Sequence, residues 1–372
     1  MSSEHASSRC RERISRLADS SLDSAGLRHE AARELQRAIG FDLWCWGLAD
    51  PTSLIPYGGV ASLSPTEVVV RVLPRLLALE QQDQTLARHE VARSRRPVYT
   101  LSEATAGELE RCRRWAECLG PLGLGDLAVG ACRDGSGCWG WLEAYRASDH
   151  APFSAEETAL LAEVVPALGD ALRRRAIGRE PLVERRPPGV LILDEDMRAT
   201  SWTSSAREWI GVLPGRIHGS LGLLPSVVYA VAGRASAPFG SAAARLGARA
   251  GARTDAGSWA VLEGERLHAA KRGHVAITIR SANPEEALEL LARIHRLTAR
   301  ERELAHLVVG GLATARIAER LVISTHTVKD HLKAIFEKTG ARSRGELVAR
   351  IHGVDPVDGR AVRAPARLPS TE

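Results

Sequence analysis

Residues 297–351 read LTARERELAHLVVGGLATARIAERLVISTHTVKDHLKAIFEKTGARSRGELVARI, and their periodicity decides the fold of this part of the chain. Thr298 precedes a helix-forming run with Glu301 three residues on, the reciprocal arrangement of a capping box. Leu304, Leu307 and Val308 supply an apolar stripe at helical spacing. Gly310-Gly311 ends that helix, because glycine takes the left-handed terminal conformation without steric cost. A short second helix follows with Ile317, Ala318 and Leu321 on one face. Val322-Ile323-Ser324 makes a turn, and Ser324 or Thr325 caps a third helix running to about Lys338.

That third helix divides into two faces. Val328, Leu332, Ile335 and Phe336 fall at i, i+4, i+7 and i+8 and are expected to pack inward. His326, Lys329, Asp330 and Lys333 lie opposite and point to solvent or to a partner. The chain has four lysines, and three of them (Lys329, Lys333, Lys338) sit on this helix. From Arg296 to His352 there are eight arginines and three lysines against five glutamates and one aspartate, a surplus that equals the formal charge of +5 for the whole chain. The rest of the sequence is balanced.

Short helices, a tight turn and a basic second helix are the layout of a helix-turn-helix. In that motif the second helix enters the major groove and cations neutralise phosphates. The segment closely resembles the LuxR-type DNA-binding domain. The resemblance rests on Leu297-Thr298-x-Arg300-Glu301-x-Glu303, Gly311-Leu312, Ile317-Ala318-x-x-Leu321 and Ile323-Ser324-x-x-Thr327-Val328-Lys329-x-His331-Leu332. It continues through Lys338-x-x-x-Arg342-Ser343-Arg344-x-Glu346-Leu347-Val348. Arg316 departs from it, since many relatives carry an acid before the Ile-Ala pair. The Thr339-Gly340-Ala341 turn is within the family's range.

The resemblance implies a role for each exposed residue. Lys329, Asp330 and Lys333 would face the groove, lysine donating to guanine and aspartate accepting from cytosine. His326 would share their side. Thr325, Thr327, His331, Arg342, Ser343 and Arg344 would meet phosphates, which position a protein without reading sequence. For Thr327 and His331, a cap or a satisfied backbone group is an equally good account. A fourth helix from Ser343 to Ile351 would bring two copies together through Leu347 and Ile351, so that a homodimer reads an inverted repeat. Double-stranded DNA and RNA polymerase are the implied partners.

Upstream, residues 22–178 alternate helices with short strands. A helix over Leu22–Ile39 precedes strands at Phe41–Leu48 and Leu54–Val60. A helix over Pro65–Gln81, a strand at Pro97–Leu101 and a helix around Ala106–Leu119 follow. Strands at Asp126–Arg133 and Cys138–Tyr145 flank Asp134-Gly135-Ser136-Gly137, a strong hairpin turn, and a long helix starts at Ser154. An antiparallel sheet between terminal helices resembles a GAF-type sensory domain, whose relatives bind small molecules over the sheet. The Trp44/Trp46 and Trp139/Trp141 pairs are expected to set one ring inward and one outward. Core filling is the plainer account of these rings, and an unidentified small-molecule pocket the sharper one.

Residues 179–188 are charged and proline-bearing, as domain joints are. Over 179–282, Gly189–Asp194 reads as a buried strand with Arg198–Trp202 as its hairpin partner. Helices near Ser204–Trp209 and Ser226–Gly233 follow, then strands at Trp259–Glu263 and His274–Ile279. The opening GVLILDEDMRATSWTSSAREWI resembles the start of a PAS domain. Ala235–Gly257 carries little signal. Residues 283–296 form an amphipathic connector helix with Leu288, Leu291 and Ile294 on its apolar side. The proline-rich tail 353–372 is expected to be disordered. The expectation is a multidomain α+β chain: an antiparallel-sheet GAF-like domain, a PAS-like α+β domain and an all-α four-helix helix-turn-helix domain at 297–352.

Composition bounds the remaining possibilities. No run of 18 apolar residues exists and the N-terminus lacks the apolar centre of a secretory signal, so a cytoplasmic protein with no membrane span is expected. The six cysteines all lie in the first 138 residues at spacings that fit neither zinc nor redox motifs, and read as buried free thiols. His89 and His150 are better read as surface residues than as metal or haem ligands. No cofactor is expected. Phosphate-binding GxxxxGK[ST], GxSxG and HExxH are absent, which argues against an appended enzyme. No acidic pair near the N-terminus supports a phosphorylated receiver. A regulator controlled by protein partners, with no small ligand, stays open.

Overall fold

The computed structural model describes residues 3–62, 67–177, 186–215, 223–268 and 273–352. The expected joint at 179–185 and the tail 353–372 lie outside them. Helix α1 (Ser3–Ala18), largely polar, is not among the expected elements. It nevertheless buries Cys10, Ile14 and Ala18, four residues apart. Asp23 caps α2 (Ser24–Ile39), accepting from the Gly26 amide, and Gly40 ends it at φ 78°. Strands β1 (Leu43–Ala49) and β2 (Pro56–Ala61) precede α3 (Glu67–Glu80) and α4 (Arg88–Arg93). After β3 (Val98–Thr100) and α5 (Leu101–Ala104) comes the long hairpin of β4 (Leu124–Asp134) and β5 (Gly137–Ala147), then α6 (Ala155–Ala176). The strands make one antiparallel sheet in the order β2-β1-β5-β4-β3. Helix α6 crosses it at contact distance, since a Cβ on Gly169 would stand 2.5 Å from the Arg133 amide nitrogen.

The expected helix over Ala106–Leu119 is broken. Ala106 and Gly107 both take positive φ, and the chain continues as single turns at Leu109–Arg111, Trp115–Leu119 and Gly120–Leu122. Tertiary bonds win over local propensity here. Arg114 is drawn inward to Glu143, and the Trp115 indole donates to the Leu124 carbonyl at 2.8 Å.

The tryptophan expectation also needs correction. Residues two apart on a regular strand share a face, and Trp44 and Trp46 both lie toward the helices. Trp44 meets the His29 ring of α2 edge-on at 5.3 Å, and the Trp46 indole lies beside Gly140, which Leu172 of α6 also covers. Trp139 and Trp141 do part, because the β4–β5 register shifts between Cys132 and Arg133. Trp139 donates to Asp134, whose other oxygen binds Arg173 of α6. Trp141 joins the apolar cluster of Leu86, Val91, Leu101 and Leu127 on the opposite face. None of the four rings faces solvent: each is at most 4% exposed. All six cysteines are free.

Strand β6 (Gly189–Leu193) pairs with β7 (Ala199–Trp202), and α7 (Ser204–Val212), α8 (Ser226–Ala235) and α9 (Ala242–Arg245) follow. With β8 (Arg249–Arg253), β9 (Trp259–Arg266) and β10 (Val275–Ser281) they build a second five-stranded sheet, ordered β7-β6-β10-β9-β8. Strand β8 and helix α9 come from the stretch that carried little signal, where Arg, Ala and Gly give no apolar alternation. Helix α8 is buried almost throughout and packs on α3. A Cβ at Gly233 would fall 2.3 Å from the Ala78 carbonyl oxygen. The remainder is helical: α10 (Pro284–Ile294), α11 (Ala299–Val309), α12 (Thr314–Leu321), α13 (Thr325–Thr339) and α14 (Arg344–His352).

The chain is mixed α+β with two antiparallel sheets and a C-terminal helical domain. It divides into two compact units, one of 1–176, 189–252 and 262–279, the other of 177–188, 253–261 and 280–372. No described helix is long and apolar enough to cross a membrane.

Candidate nucleic-acid interface

The C-terminal helices are assembled by their caps. The Thr298 hydroxyl accepts from the Glu301 amide at 3.2 Å while the Glu301 carboxylate accepts from the Thr298 amide at 2.7 Å. Glu301 has a second task. Lys338, at the far end of α13, reaches both its oxygens at 2.6 and 2.7 Å and so joins the start of α11 to the end of α13. Burial disfavours the Glu301 charge, but the bonds from Lys338 and Thr298 outweigh that and hold the carboxyl below its ordinary range. Lys338 is thus spent inside the domain, although the sequence counts it with the basic helix.

Ser324, not Thr325, caps α13, its hydroxyl accepting from the Thr327 amide at 3.0 Å. The turn before it bends at Val322, which takes φ 54° and ψ 49° with its side chain 89% exposed. A β-branched residue there carries roughly 1–2 kcal/mol of strain. Asparagine tolerates this conformation. Val322→Asn should therefore stabilise the C-terminal unit by about 1 kcal/mol, read as a rise in the urea midpoint followed by helix circular dichroism. A fall would mean that the isopropyl group makes a contact the exposed turn does not show.

Along α13, Val328, Leu332, Ile335 and Thr339 are buried, and Phe336 is only half-buried. Phe336 lines a shallow depression of about 470 Å³ with Leu332, Ala341, Lys329 and Lys333 at its edges. Thr325, His326, Lys329, Asp330 and Lys333 are exposed, and Thr327 and His331 are half-buried. His326 lies 3.6 Å from Asp330, and Lys333 lies 3.9 Å from Glu337. Among the described residues Lys329 has no carboxylate within ion-pair reach. The exposed edge of α13 therefore presents two ammonium groups with the Asp330 and Glu337 carboxylates beside them, a set able to meet base edges and phosphates.

The remaining expected residues fall into two groups. Arg342 is exposed, and its backbone amide donates to the Glu346 carboxylate at 2.8 Å. The Ser343 hydroxyl accepts from the Glu346 amide at 3.1 Å and so caps α14. Arg344 turns inward and donates to the Val308 and Leu312 carbonyls at 3.2 and 2.5 Å, closing the end of α11. Leu347 and Ile351 are fully buried in a helix that packs on α10 and α11. With no exposed surface they hold α14 to its own domain and cannot themselves be the docking surface. The sequence reading did not single out Arg320, which is exposed on α12 four residues after Arg316. Its signal was available in the charge of that helix. Among the described residues no group of three His, Cys, Asp or Glu side chains could hold a metal, and His150 contacts Asp42 at 2.9 Å.

Comparison with known proteins converges on this segment. Residues 295–351 match the family described as bacterial regulatory proteins, luxR family (GerE). The monoamine regulon transcriptional regulator of Klebsiella aerogenes is 50% identical over 54 residues, 14% of this chain and 24% of that protein. The chain thus spans about a quarter of that relative's length. The spore germination protein GerE of Bacillus subtilis is 38% identical over 55 residues, 15% of this chain but 74% of GerE. A crystal structure of Escherichia coli SdiA aligns over 92% of this chain and 95% of its own at 13% identity, with a TM-score of 0.37, too low to assign a shared fold. Three-quarters of GerE is matched at this identity, on the helices whose caps and turn are described above, and the chain belongs to the luxR family of bacterial regulatory proteins.

Proposed function

We propose that the chain is a sequence-specific, DNA-binding transcription regulator working as a cytoplasmic homodimer, with its N-terminal domains controlling the C-terminal helix-turn-helix. The observation that carries this reading is the exposed edge of α13, where Lys329 and Lys333 reach solvent while Lys338 is paired with Glu301 and Arg344 is bonded to backbone carbonyls. Helix α13 enters the major groove. Lys329, Asp330 and Lys333 read base edges with His326 beside them, and Thr325, Thr327, His331 and Arg342 lie against the backbone. Ser343 and Arg344 support that surface by capping α14 and closing α11. The exposed side of α14 meets a second copy, and RNA polymerase is the downstream partner.

In the same reading, residues 22–178 are a GAF-like sensory domain and 179–282 a PAS-like domain, joined through 283–296 to the DNA-binding domain at 297–352. A small molecule bound by the front half sets the affinity of the back half. The test is salt-dependent binding of the full chain and of a 285–372 fragment to pooled genomic DNA, with footprinting of the selected sites. Inverted repeats bound by the fragment but not by the unliganded full chain support sensory control. Equal binding by both favours control by protein partners, and binding by neither removes the DNA-binding reading.

A further inference from the structure

On the sheet face that Trp141 covers, seven buried side chains form one hydrogen-bonded chain. The Glu143 carboxylate accepts from Arg114 at 3.1 and 2.9 Å, from the Tyr145 hydroxyl at 2.5 Å and from Arg88 Nη2 at 3.0 Å. The same Arg88 nitrogen lies 2.6 Å from Glu80, which accepts from Gln81 at 2.9 Å. Gln81 in turn accepts from Arg234 of α8 at 2.7 Å. The Arg88, Arg114, Glu80 and Glu143 side chains are 3–6% exposed. Two guanidiniums thus meet two carboxylates by direct contact, the third joins through Gln81, and the N–H donors outnumber the acceptors. Nε and Nη1 of Arg88, Nε of Arg114 and Nε of Arg234 are buried without an acceptor. Asp50, which also acts on Arg234, is occupied by the Thr52 and Gly251 amides and the Ser53 hydroxyl. Burial pushes the Glu80 carboxyl up, against the pull of Arg88.

A buried N–H without an acceptor is costly. An added anion would satisfy these donors, and a carboxylate fits guanidinium best. The surroundings are apolar: Trp141 lies under Arg88 with 4.6 Å from Cζ to the ring centroid, and Leu86, Val91 and Leu101 pack in the same cluster. The cover is the turn at 50–55. Trp141 donates to the Leu54 carbonyl at 2.9 Å and Arg234 to the Ser53 carbonyl at 3.4 Å, while Leu54 holds φ 64°. A leucine in that conformation is strained, and such strain gathers at ligand clamps.

We propose that Arg88, with Arg114 and Arg234, binds the carboxylate of a small apolar acid admitted beneath the 50–55 turn. This deepens the sensory reading by naming the class of signal. The full chain is titrated with straight-chain alkanoates from acetate to octanoate, the matching alkanamides, and sodium sulfate at equal ionic strength. Melting temperature and tryptophan fluorescence are followed. An alkanoate should raise Tm by about 3 °C at ten times its Kd and shift the emission, with amide and sulfate inert. Arg88→Gln should abolish both responses. Should that variant fail to fold, Glu80→Gln decides, because removing the competing internal carboxylate should tighten binding about three- to tenfold. Equal responses to acid and amide would leave the small-molecule reading intact and overturn the anion assignment. A rise matched by sulfate, no alkanoate response, or weaker binding by Glu80→Gln would overturn it as well.

Discussion

Lys329→Ala is expected to weaken binding to the footprinted DNA by about 1–3 kcal/mol, roughly five- to 150-fold. It should also reduce the dependence of affinity on salt by close to one ion. Lys329 is exposed and, among the described residues, has no carboxylate in reach, so the fold should not notice its loss. Lys333 is 3.9 Å from Glu337, an exposed pair of small worth, and its replacement should follow the same pattern to a lesser degree. Arg344→Ala should behave otherwise. Its guanidinium closes the end of α11 on two carbonyls, so the loss should appear as a lower urea midpoint. Titrations by fluorescence anisotropy at several sodium chloride concentrations separate the cases. An unchanged affinity and salt slope in Lys329→Ala would take α13 out of the groove.

This contrast shows what the sequence can and cannot convey. Caps, breaks and apolar spacing are local, and Thr298, Glu301, Gly311 and Ser324 stand where the pattern placed them. Whether a basic residue faces outward depends on what the fold brings beside it. Lys338 and Arg344 look like Lys329 in a charge count, yet one crosses to Glu301 and the other to the end of α11. Leu347 and Ile351 likewise read as an apolar stripe, and no spacing rule says whether such a stripe meets its own domain or a second copy. In the front half, strand alternation was legible, but the break at Ala106-Gly107 and the register shift before Cys138 were not. Both arise from tertiary demands, the reach of Arg114 to Glu143 and the bond from Trp139 to Asp134.

The largest stability effect should come from two glutamates of the same buried cluster whose replacements differ in cost. Burial alone would raise the Glu143 carboxyl, but Arg114 and Arg88 outweigh it and hold it at about 2. Glu80 goes the other way: burial dominates and raises it. Glu143→Gln strands two guanidiniums in the interior and should cost about 3–5 kcal/mol, as breaking one side of a buried pair does. Glu80→Gln keeps the hydrogen-bonding shape and leaves both Arg88 and Arg114 on Glu143, so it should cost less, about 1–3 kcal/mol. The pH dependence follows with opposite signs. Glu143 lies below its unfolded value of about 4.3, so its stabilisation is complete above that pH and lost as the pH falls toward 2. The raised Glu80 works against the fold at neutral pH, and that penalty lifts as the pH falls through its folded-state value. Urea unfolding followed by tryptophan fluorescence reads both variants, since every tryptophan lies between Trp44 and Trp259. Equal losses from the two substitutions would mean that the cluster holds its charges symmetrically, which would remove the case for an anion at Arg88.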